Sequence, residues 1–173
     1  MFRGCTSLTT IPSNLLPATT LANSCYSSMF RSCTSLTAIP KLPATTLTEY
    51  CYDSMFNGCT SLTAIPDLPA TTLANYCYSS MFNGCTSLVE TPDSWYLPAQ
   101  TTNYDSCGNM FSNCSNLQKM AVAYSGTITA DHWDGFLSGV SSTGTFYYSK
   151  NQTEGNIRPI APSGWTLVQS TEW

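Results

Sequence analysis

The stretch EYCYDSMFNGCTSLTAIPDLPATTLANYCYSSMFNGCTSL, residues 49–88, contains the segment MFNGCTSL twice. The later segment begins at Met81, and the interval from Met55 to Met81 equals the interval from Met29 to Met55. A fixed period of this kind is the sequence signature of a repeat architecture. The chain is therefore interpreted as consecutive copies of one unit.

The outer copies keep the same columns but change their length at one place. The interval from Met1 to Met29 and the interval from Met81 to Met110 are both slightly longer than the central ones. The additional residues fall between two prolines, in IPSNLLP and in TPDSWYLP. Because insertions are tolerated at surface turns, this segment is predicted to be a turn at the surface.

The unit reads MFxxCTSLTxIPxLPATTLxxYCYxS, and it repeats Leu, Ile, aromatic and Cys positions. One unit cannot bury these side chains alone, whereas stacked units bury them against each other at the strand spacing of about 4.8 Å. We expect a short strand near SLTAI, an extended ATTL segment, and a helical or 3₁₀ turn over NYCYSSMFNG. The pattern predicts a repeat solenoid with a parallel sheet over residues 1–117, divided into about four rungs of similar length.

The pattern MFNGCTSLTAIPxLP resembles the BspA-like leucine-rich repeats of bacterial surface proteins, in which an aromatic-x-x-Cys turn precedes a Ser-Leu-x-x-Ile strand. The resemblance covers the chain from residue 1 to about residue 117. Two features depart from the family pattern, the LPATTL segment and the second cysteine in each YCY. The resemblance implies a leucine-rich-repeat-like fold and a non-enzymatic role in binding or adhesion.

The period stops after Leu117, and residues 118–173 are predicted to form an α/β cap. KMAVAYSGTIT, TGTFYYSK and GWTLVQS are predicted strands. TADHWDGFLSGV is predicted to be a short helix with Thr129 or Asp131 as its N-cap. Three side chains at helical spacing are expected to cover the last rung: Trp133, Phe136 and Leu137. The ending is similar to the segment that closes many BspA-like proteins and some tail-fibre-like proteins of gut phages.

The chain has nine cysteines, and eight of them fall into two columns of the repeat. The columns are Cys25, Cys51, Cys77 and Cys107, and Cys33, Cys59, Cys85 and Cys114. Disulfides within a copy, such as Cys51 to Cys59, are one interpretation, but an odd count disfavours a full framework. A metal site would need spacings such as C-x₂-C, which the sequence lacks. We favour two ladders of buried free thiols, since Cys packs as a small hydrophobe.

The charge pattern disfavours nucleic acid and membrane insertion as partners. Charged residues make up 9% of the chain, the net charge is −4, and Lys and Arg form no cluster. No run of about 18 apolar residues and no signal segment are present. Because Met1 to Cys5 align with Met29 to Cys33, the chain is expected to be a fragment, or its open edge to be covered by another subunit or by self-association.

Catalytic chemistry has little support in the sequence. His132 lies between Asp131 and Asp134, but no G-x-S-x-G segment accompanies it, so a solvated polar surface is favoured over a catalytic triad. DHWDG lacks the alternating acidic positions of a calcium loop. We therefore expect no catalytic, cofactor-binding or metal-binding residues, and no enzyme.

The candidate binding face consists of side chains between the core positions: Thr37, Thr63, Glu90, Trp95 and Tyr96. Hydroxyl rows suit recognition of a protein or a glycan, although Thr also favours exposed strands without any partner. Trp95 and Tyr96 are of the type enriched at binding hot spots, and packing over the lengthened rung is the alternative.

Three functional hypotheses follow from the sequence. The first is a binding or adhesion module of a bacterial surface protein, at the cell surface or secreted, with a protein or glycan ligand. The second is a structural or receptor-binding component of a phage tail fibre, located on the virion. Ice binding by threonine rows is disfavoured, because the rows also contain Ala, Val and Glu.

Overall fold

The structure is a computed structural model, and it describes residues 1–93, 95–98, 105–124, 126 and 133–173. The regular elements of these residues are β1 (Trp95–Leu97), β2 (Lys119–Tyr124), β3 (Gly144–Tyr148), α1 (Glu154–Ile157) and β4 (Trp165–Gln169). The four strands form one parallel sheet in the order β1-β2-β3-β4. The fold is thus a small parallel sheet with few helices.

The sheet pairs each strand with the next one along the chain. Tyr96 is opposite Ala123, Met120 is opposite Phe146, and Phe146 is opposite Leu167. Strands β2, β3 and β4 read KMAVAY, GTFYY and WTLVQ, which are rich in β-branched and aromatic residues and contain no proline. The strands predicted in this part of the chain are confirmed over these residues.

The segment predicted as a helical or 3₁₀ turn is neither. Its N–H groups alternate between two kinds of partner: Tyr26 donates to the Cys51 carbonyl of the next copy at 3.0 Å, and Met29 donates to the Tyr26 carbonyl of its own copy at 3.2 Å. The same alternation recurs around residues 50–58 and 76–85. An α-helix or a 3₁₀-helix would keep all of these bonds within its own segment, so the helical prediction is wrong here.

A left-handed residue recurs at every fourth position of these turns. In the second copy Ser24, Ser28 and Ser32 have φ of 58°, 55° and 60°. The residue equivalent to Ser32 is Gly58 and then Gly84, with φ of 74° and 73°. Glycine adopts this conformation at least cost, which explains the Gly in MFNGC.

The strand predicted at SLTAI does not form. The repeat region contributes two isolated parallel bridges among the described residues, Thr46 with Thr72 and Glu90 with Lys119. Prolines flank SLTAI on its C-terminal side, as Pro66 and Pro69 do in the third copy, and a proline has no N–H for a ladder. The sheet therefore begins beyond the regular repeats.

The core runs continuously through the copies. Phenylalanine rings of consecutive copies are stacked, with Phe30 5.6 Å from Phe56 and Phe56 5.8 Å from Phe82 between ring centroids. The column continues to Phe111, where Trp95 and Phe136 meet the ring edge-on. Each buried ring contributes roughly 1.5–3 kcal/mol by its removal from water.

The pattern continues past the boundary predicted at residue 117. Phe111 donates to the Phe136 carbonyl at 3.0 Å, and Asn113 donates to the Ser138 carbonyl at 2.7 Å. Gly135 and Gly139 have φ of 62° and 71°, at the positions where earlier copies have left-handed residues. Residues 133–140 are therefore a further turn segment and not the predicted helix.

The predicted helix also extends over residues outside the description. Its proposed N-caps, Thr129 and Asp131, lie outside the described residues. The side chains of Trp133, Phe136 and Leu137 are buried, as predicted. They pack here as members of a turn segment, in which Phe136 and Leu137 follow Gly135 as Met110 and Phe111 follow Asn109.

Candidate functional site

Thr37 and Thr63 are exposed at equivalent positions of two copies. Each follows a fully buried leucine, Leu36 and Leu62. The row continues through exposed side chains in the flanking copies: Thr9, Val89 and Gln118. A column of side chains thus stays outside the core in every copy.

Part of this row is already used for contacts between copies. The Thr37 hydroxyl and N–H both lie 3.1 Å from the Thr9 carbonyl, to which they donate. Within the described residues, the hydroxyl of Thr63 makes no such bond. Thr37 therefore has a structural task, and Thr63 is the better candidate for contact with a ligand.

Glu90 is exposed, but a lysine neutralises it. The Lys119 amine lies 3.6 Å from the Glu90 carboxylate and also bonds to Asp93. It lies 5.9 Å from the centre of the Tyr147 ring. The hydrogen bond with Asp93 raises the pKa of Lys119, so the lysine stays charged and offsets one of the two carboxylates.

Trp95 does not belong to the exposed face. Its side chain is 4% exposed, and its ring meets Phe111 edge-on at 5.6 Å. Tyr96, the next residue of β1, is 48% exposed, because successive strand side chains point to opposite faces. Of the two aromatic candidates, only Tyr96 lies at the surface.

Tyr96 forms part of a cleft that the sequence pattern did not reveal. The cleft has a volume of about 260 Å³, and its other lining residues include Ala123, Ser149, Lys150, Asn151 and Trp173. Lys150 and Trp173 are distant from Tyr96 in the sequence and belong to no repeat. Only the parallel pairing of β1 to β4 brings these residues together.

One cysteine column links the copies through its thiols. The Cys59 thiol donates to the Phe30 carbonyl at 3.2 Å, and the Cys85 thiol donates to the Phe56 carbonyl at 3.2 Å. Cys33 and Cys114 make the same bond to Phe2 and Phe82. All four are buried, as predicted.

The other column is buried except at its first member. Cys51, Cys77 and Cys107 are buried, whereas Cys25 is exposed, as is Cys5. Within this chain no earlier YCY segment lies against Cys25, so the prediction that Cys25 is buried is wrong. All nine cysteines are free, and the disulfide alternative is not observed.

Burial keeps these thiols protonated. It raises the pKa of Cys51 to about 11, and it raises those of Cys59 and Cys77 to about 12. Since the thiolate is the nucleophile and the metal ligand, these side chains serve as packing groups and hydrogen-bond donors. Among the described residues, no cluster of three or more His, Cys, Asp or Glu side chains could hold a metal ion.

Two aspartate side chains have raised pKa values. Burial, followed by the charge of Asp134, raises the pKa of Asp105 to about 6. Burial also raises the pKa of Asp53, which accepts hydrogen bonds from the hydroxyls of Ser27 and Ser54 at 3.3 Å. The two carboxylates lie in different copies and do not form an acid–base pair with each other.

His132 and Asp131 lie outside the described residues, so the arrangement weighed for them stays a prediction. In the part of the chain that the structure describes, no helix has the length and apolar character needed to cross a bilayer. Comparison with protein-family models, with curated proteins and with solved structures finds no match for the chain. The function of the chain is therefore inferred from its own residues.

Proposed function

We propose that the chain is a leucine-rich-repeat solenoid of the BspA-like type and a non-enzymatic binding or adhesion module of a bacterial surface protein. Its ligand is a protein or a glycan, and its location is the cell surface or the secreted fraction. The observation that carries the proposal is the row containing Thr37 and Thr63, which is exposed in consecutive copies beside buried leucines.

The row supports binding because it repeats at regular intervals on one side of a rigid core. A ligand that spans several copies would meet the same short, weakly charged side chains in each, and multiple weak contacts would add. Extended surfaces of this kind are what repeat proteins use for recognition. The resemblance of MFNGCTSLTAIPxLP to BspA-like repeats supports the same assignment.

Surface plasmon resonance against immobilised mucin glycoproteins and extracellular-matrix proteins tests the proposal. The double variant Thr37→Lys/Thr63→Lys places two charges in the row, and we expect at least tenfold weaker binding to any panel member that the parent chain binds. The matched control is Thr46→Lys/Thr72→Lys, since these threonines are also exposed and also occupy equivalent positions of consecutive copies.

Equal loss in the two double variants would show that added charge, and not the row, weakens binding. Failure of the parent chain to bind any panel member would also overturn the proposal. Circular dichroism of both variants confirms that each is folded before the affinities are compared.

A second candidate function, a component of a phage tail fibre or similar assembly, is favoured by the edge formed by residues 23–27. Among the described residues, no backbone N–H donates to the carbonyls of Asn23, Cys25 and Ser27. The equivalent carbonyls of the next copy each accept a bond from the copy before it, at 2.8–3.0 Å. N–H groups at that spacing, from a preceding copy or from a second chain, would satisfy them.

Native mass spectrometry over a range of concentrations tests this candidate. Leu15, 38% exposed, lines an apolar cleft of the first copy with Phe2 and Leu8, and Leu15→Lys is expected to dissociate an assembly that covers the first copy. Val89→Lys is the control, because Val89 is 51% exposed and lies in the threonine row. A monomer at every concentration would contradict the fibre hypothesis and leave the adhesion hypothesis standing.

A further inference from the structure

The cleft is lined by two aromatic residues, Tyr96 and Trp173, which we term its walls, and by two small residues, Ala123 and Ser149, which we term its floor. Tyr96 lies opposite Ala123 in the sheet, and Ser149 directly follows β3, so the floor next to the tyrosine is shallow. Trp173 forms the far wall. Its carbonyl accepts a hydrogen bond from the Lys150 N–H at 2.7 Å, and its own N–H donates to the Ser170 hydroxyl at 3.4 Å.

The floor is held by a closed network of hydrogen bonds. The Ser149 hydroxyl, on a residue 4% exposed, accepts from the Tyr124 N–H at 2.8 Å and lies 3.3 Å from the Val122 carbonyl. Gln152 is 3% exposed, and its backbone carbonyl accepts a hydrogen bond from the side-chain amide of Gln169 at 2.7 Å. Because these groups are satisfied within the fold, the floor is fixed before any ligand arrives.

The rim of the cleft carries the side chains of Lys150 and Asn151. Both are exposed, and in the described part of the chain no carboxylate lies within ion-pair distance of Lys150. This cation is notable in a chain with six basic residues and a net charge of −4. The cleft therefore offers aromatic side chains, the positive charge of Lys150 and one amide, beside the main-chain oxygen of Trp173 that accepts from the Lys150 N–H.

We propose that the cleft between Tyr96 and Trp173 binds a pyranose ring that carries a carboxylate, as in a uronic acid unit of a glycan. The apolar C–H faces of such a ring stack on aromatic rings, its hydroxyls lie at its perimeter where Asn151 can bond to them, and its carboxylate complements Lys150. Pockets of this kind combine apolar walls with a few polar groups that fix orientation.

Other ligand classes fit the cleft less well. Lys150 repels a cationic ligand, and a simple phosphate or sulfate gains nothing from the aromatic walls. An extended peptide needs backbone partners, and the polar groups of the floor are already paired within the fold. The site is separate from the row of Thr37 and Thr63, so either proposal can fail without the other.

Titration with methyl β-D-glucuronide, followed by ligand-observed NMR and tryptophan fluorescence, tests the proposal. We expect binding, and about 1.4- to fivefold weaker binding of methyl β-D-glucoside, since one exposed charge pair contributes about 0.2–1 kcal/mol. The preference should shrink at high salt. Lys150→Gln should abolish the preference while weak binding of both sugars persists.

The walls are tested by Tyr96→Ala and Trp173→Ala, each expected to weaken glucuronide binding at least tenfold. Trp173→Leu keeps apolar bulk without the indole ring and replaces Trp173→Ala if that variant fails to fold. Tyr50→Ala is the control, because Tyr50 is 39% exposed and stacks on Tyr76 away from the cleft.

Four results would overturn the assignment. The first is no binding of either glycoside, and the second is equal affinity of the parent chain for both. The third is tighter binding of a short peptide ending in a phenylalanine carboxylate, which would assign the cleft to a protein ligand. Loss of binding in Tyr50→Ala would show that the measured site is elsewhere.

Discussion

Two regions of the molecule join neighbouring copies in different ways. Between residues 24 and 114 the copies are joined by overlapping turns in which alternate N–H groups cross to the next copy. At residues 119–124, 144–148 and 165–169 they are joined by parallel pairing of β2, β3 and β4, and one further turn segment lies between β2 and β3 at residues 133–140. Prolines interrupt the first region and are absent from β2, β3 and β4. Side chains can therefore pack in the same way in consecutive copies without a strand in each copy.

The largest expected effect comes from removing one ring of the turn region. Phe56 is fully buried and stacks on both Phe30 and Phe82. Phe56→Ala should lower the free energy of unfolding by about 3–5 kcal/mol, because it leaves a cavity between copies. Urea unfolding measures the loss, with Tyr96→Ala as an exposed aromatic control. A loss under about 1 kcal/mol would mean that the ring column does not hold the copies together.

Proline substitution separates the two modes of joining. The Thr145 N–H donates to the Gln118 carbonyl at 2.8 Å, so Thr145→Pro should cost about 2–4 kcal/mol through the lost ladder bond and an unpaired carbonyl. Thr63 has no backbone hydrogen bond from its N–H within the described residues. Thr63→Pro should therefore lower the free energy of unfolding much less than Thr145→Pro does. Thermal unfolding of both variants measures the difference. Equal costs would contradict the absence of a strand at SLTAI.

High pH tests the buried thiols of the turn region. Below about pH 8 the thiols are protonated in both states, so their contribution to stability is complete. Above it the unfolded thiols ionise, while burial keeps Cys51 neutral until about pH 11 and Cys59 until about pH 12. Stability should then fall between pH 9 and pH 11 by at least about 2 kcal/mol.

Thiol labelling provides an independent readout of the same columns. At neutral pH iodoacetamide should modify Cys5 and Cys25 in the folded chain and the other seven cysteines only after unfolding. Intact mass gives the number of labels. Rapid labelling of all nine sites without denaturant, together with a flat stability profile up to pH 11, would refute the burial of both columns.

Two opposite substitutions in one column test the left-handed positions. Gly84 has φ of 73°, and an added Cβ would meet no atom closer than 3.8 Å, so Gly84→Ala is strained by conformation alone. We expect a loss of about 1 kcal/mol. Ser32 has φ of 60° in the equivalent position, and Ser32→Gly should be stabilising by up to about 1 kcal/mol. Shifts of the same sign would contradict the shared turn geometry.

The smallest effect is expected at Asp105. Its pKa is raised to about 6, so the charged form is disfavoured in the folded chain, and the associated stability is present in acid and lost as the pH rises through 6. Asp105→Asn should raise stability at pH 7 by about 1 kcal/mol or less, because solvent screens a half-exposed group. The gain should vanish near pH 4. A gain independent of pH would point to packing instead of charge.

The sequence predicted the contacts between copies better than the backbone that makes them. The period placed Phe30, Phe56 and Phe82 in one column and identified the buried cysteines, because side-chain identity directly reflects a repeated environment. It did not predict the alternating turns, since Ser is common in many kinds of turn and Tyr at a left-handed position carries no turn signal. The sequence period also placed the end of the repeat at residue 117. Phe136 and Leu137 continue the column of buried side chains beyond it, but with different residue types.

The candidate site was predictable only in part. Thr37, Thr63 and Tyr96 were identified because they depart from the apolar columns. Trp95 was misplaced because the alternation of β1 is invisible without its register. Lys150 and Trp173 belong to no repeat, and only the pairing of strands brings them to Tyr96.

Because the N–H groups of the turn segments donate to the next copy, the two ends of the series of copies present different backbone groups. Within the described turn segments, the N–H groups that cross between copies, such as those of Tyr26 and Phe30, point toward the copy that follows in the chain, whereas a smaller set outside these turns, such as Thr37 to Thr9, runs the other way. Removing or duplicating one whole unit of the central repeat would leave each remaining donor opposite an equivalent carbonyl. Gene duplication can thus lengthen or shorten the molecule by whole repeat units without any new packing problem. Two chains that met through the edge at residues 23–27 would instead place backbone carbonyls opposite backbone carbonyls.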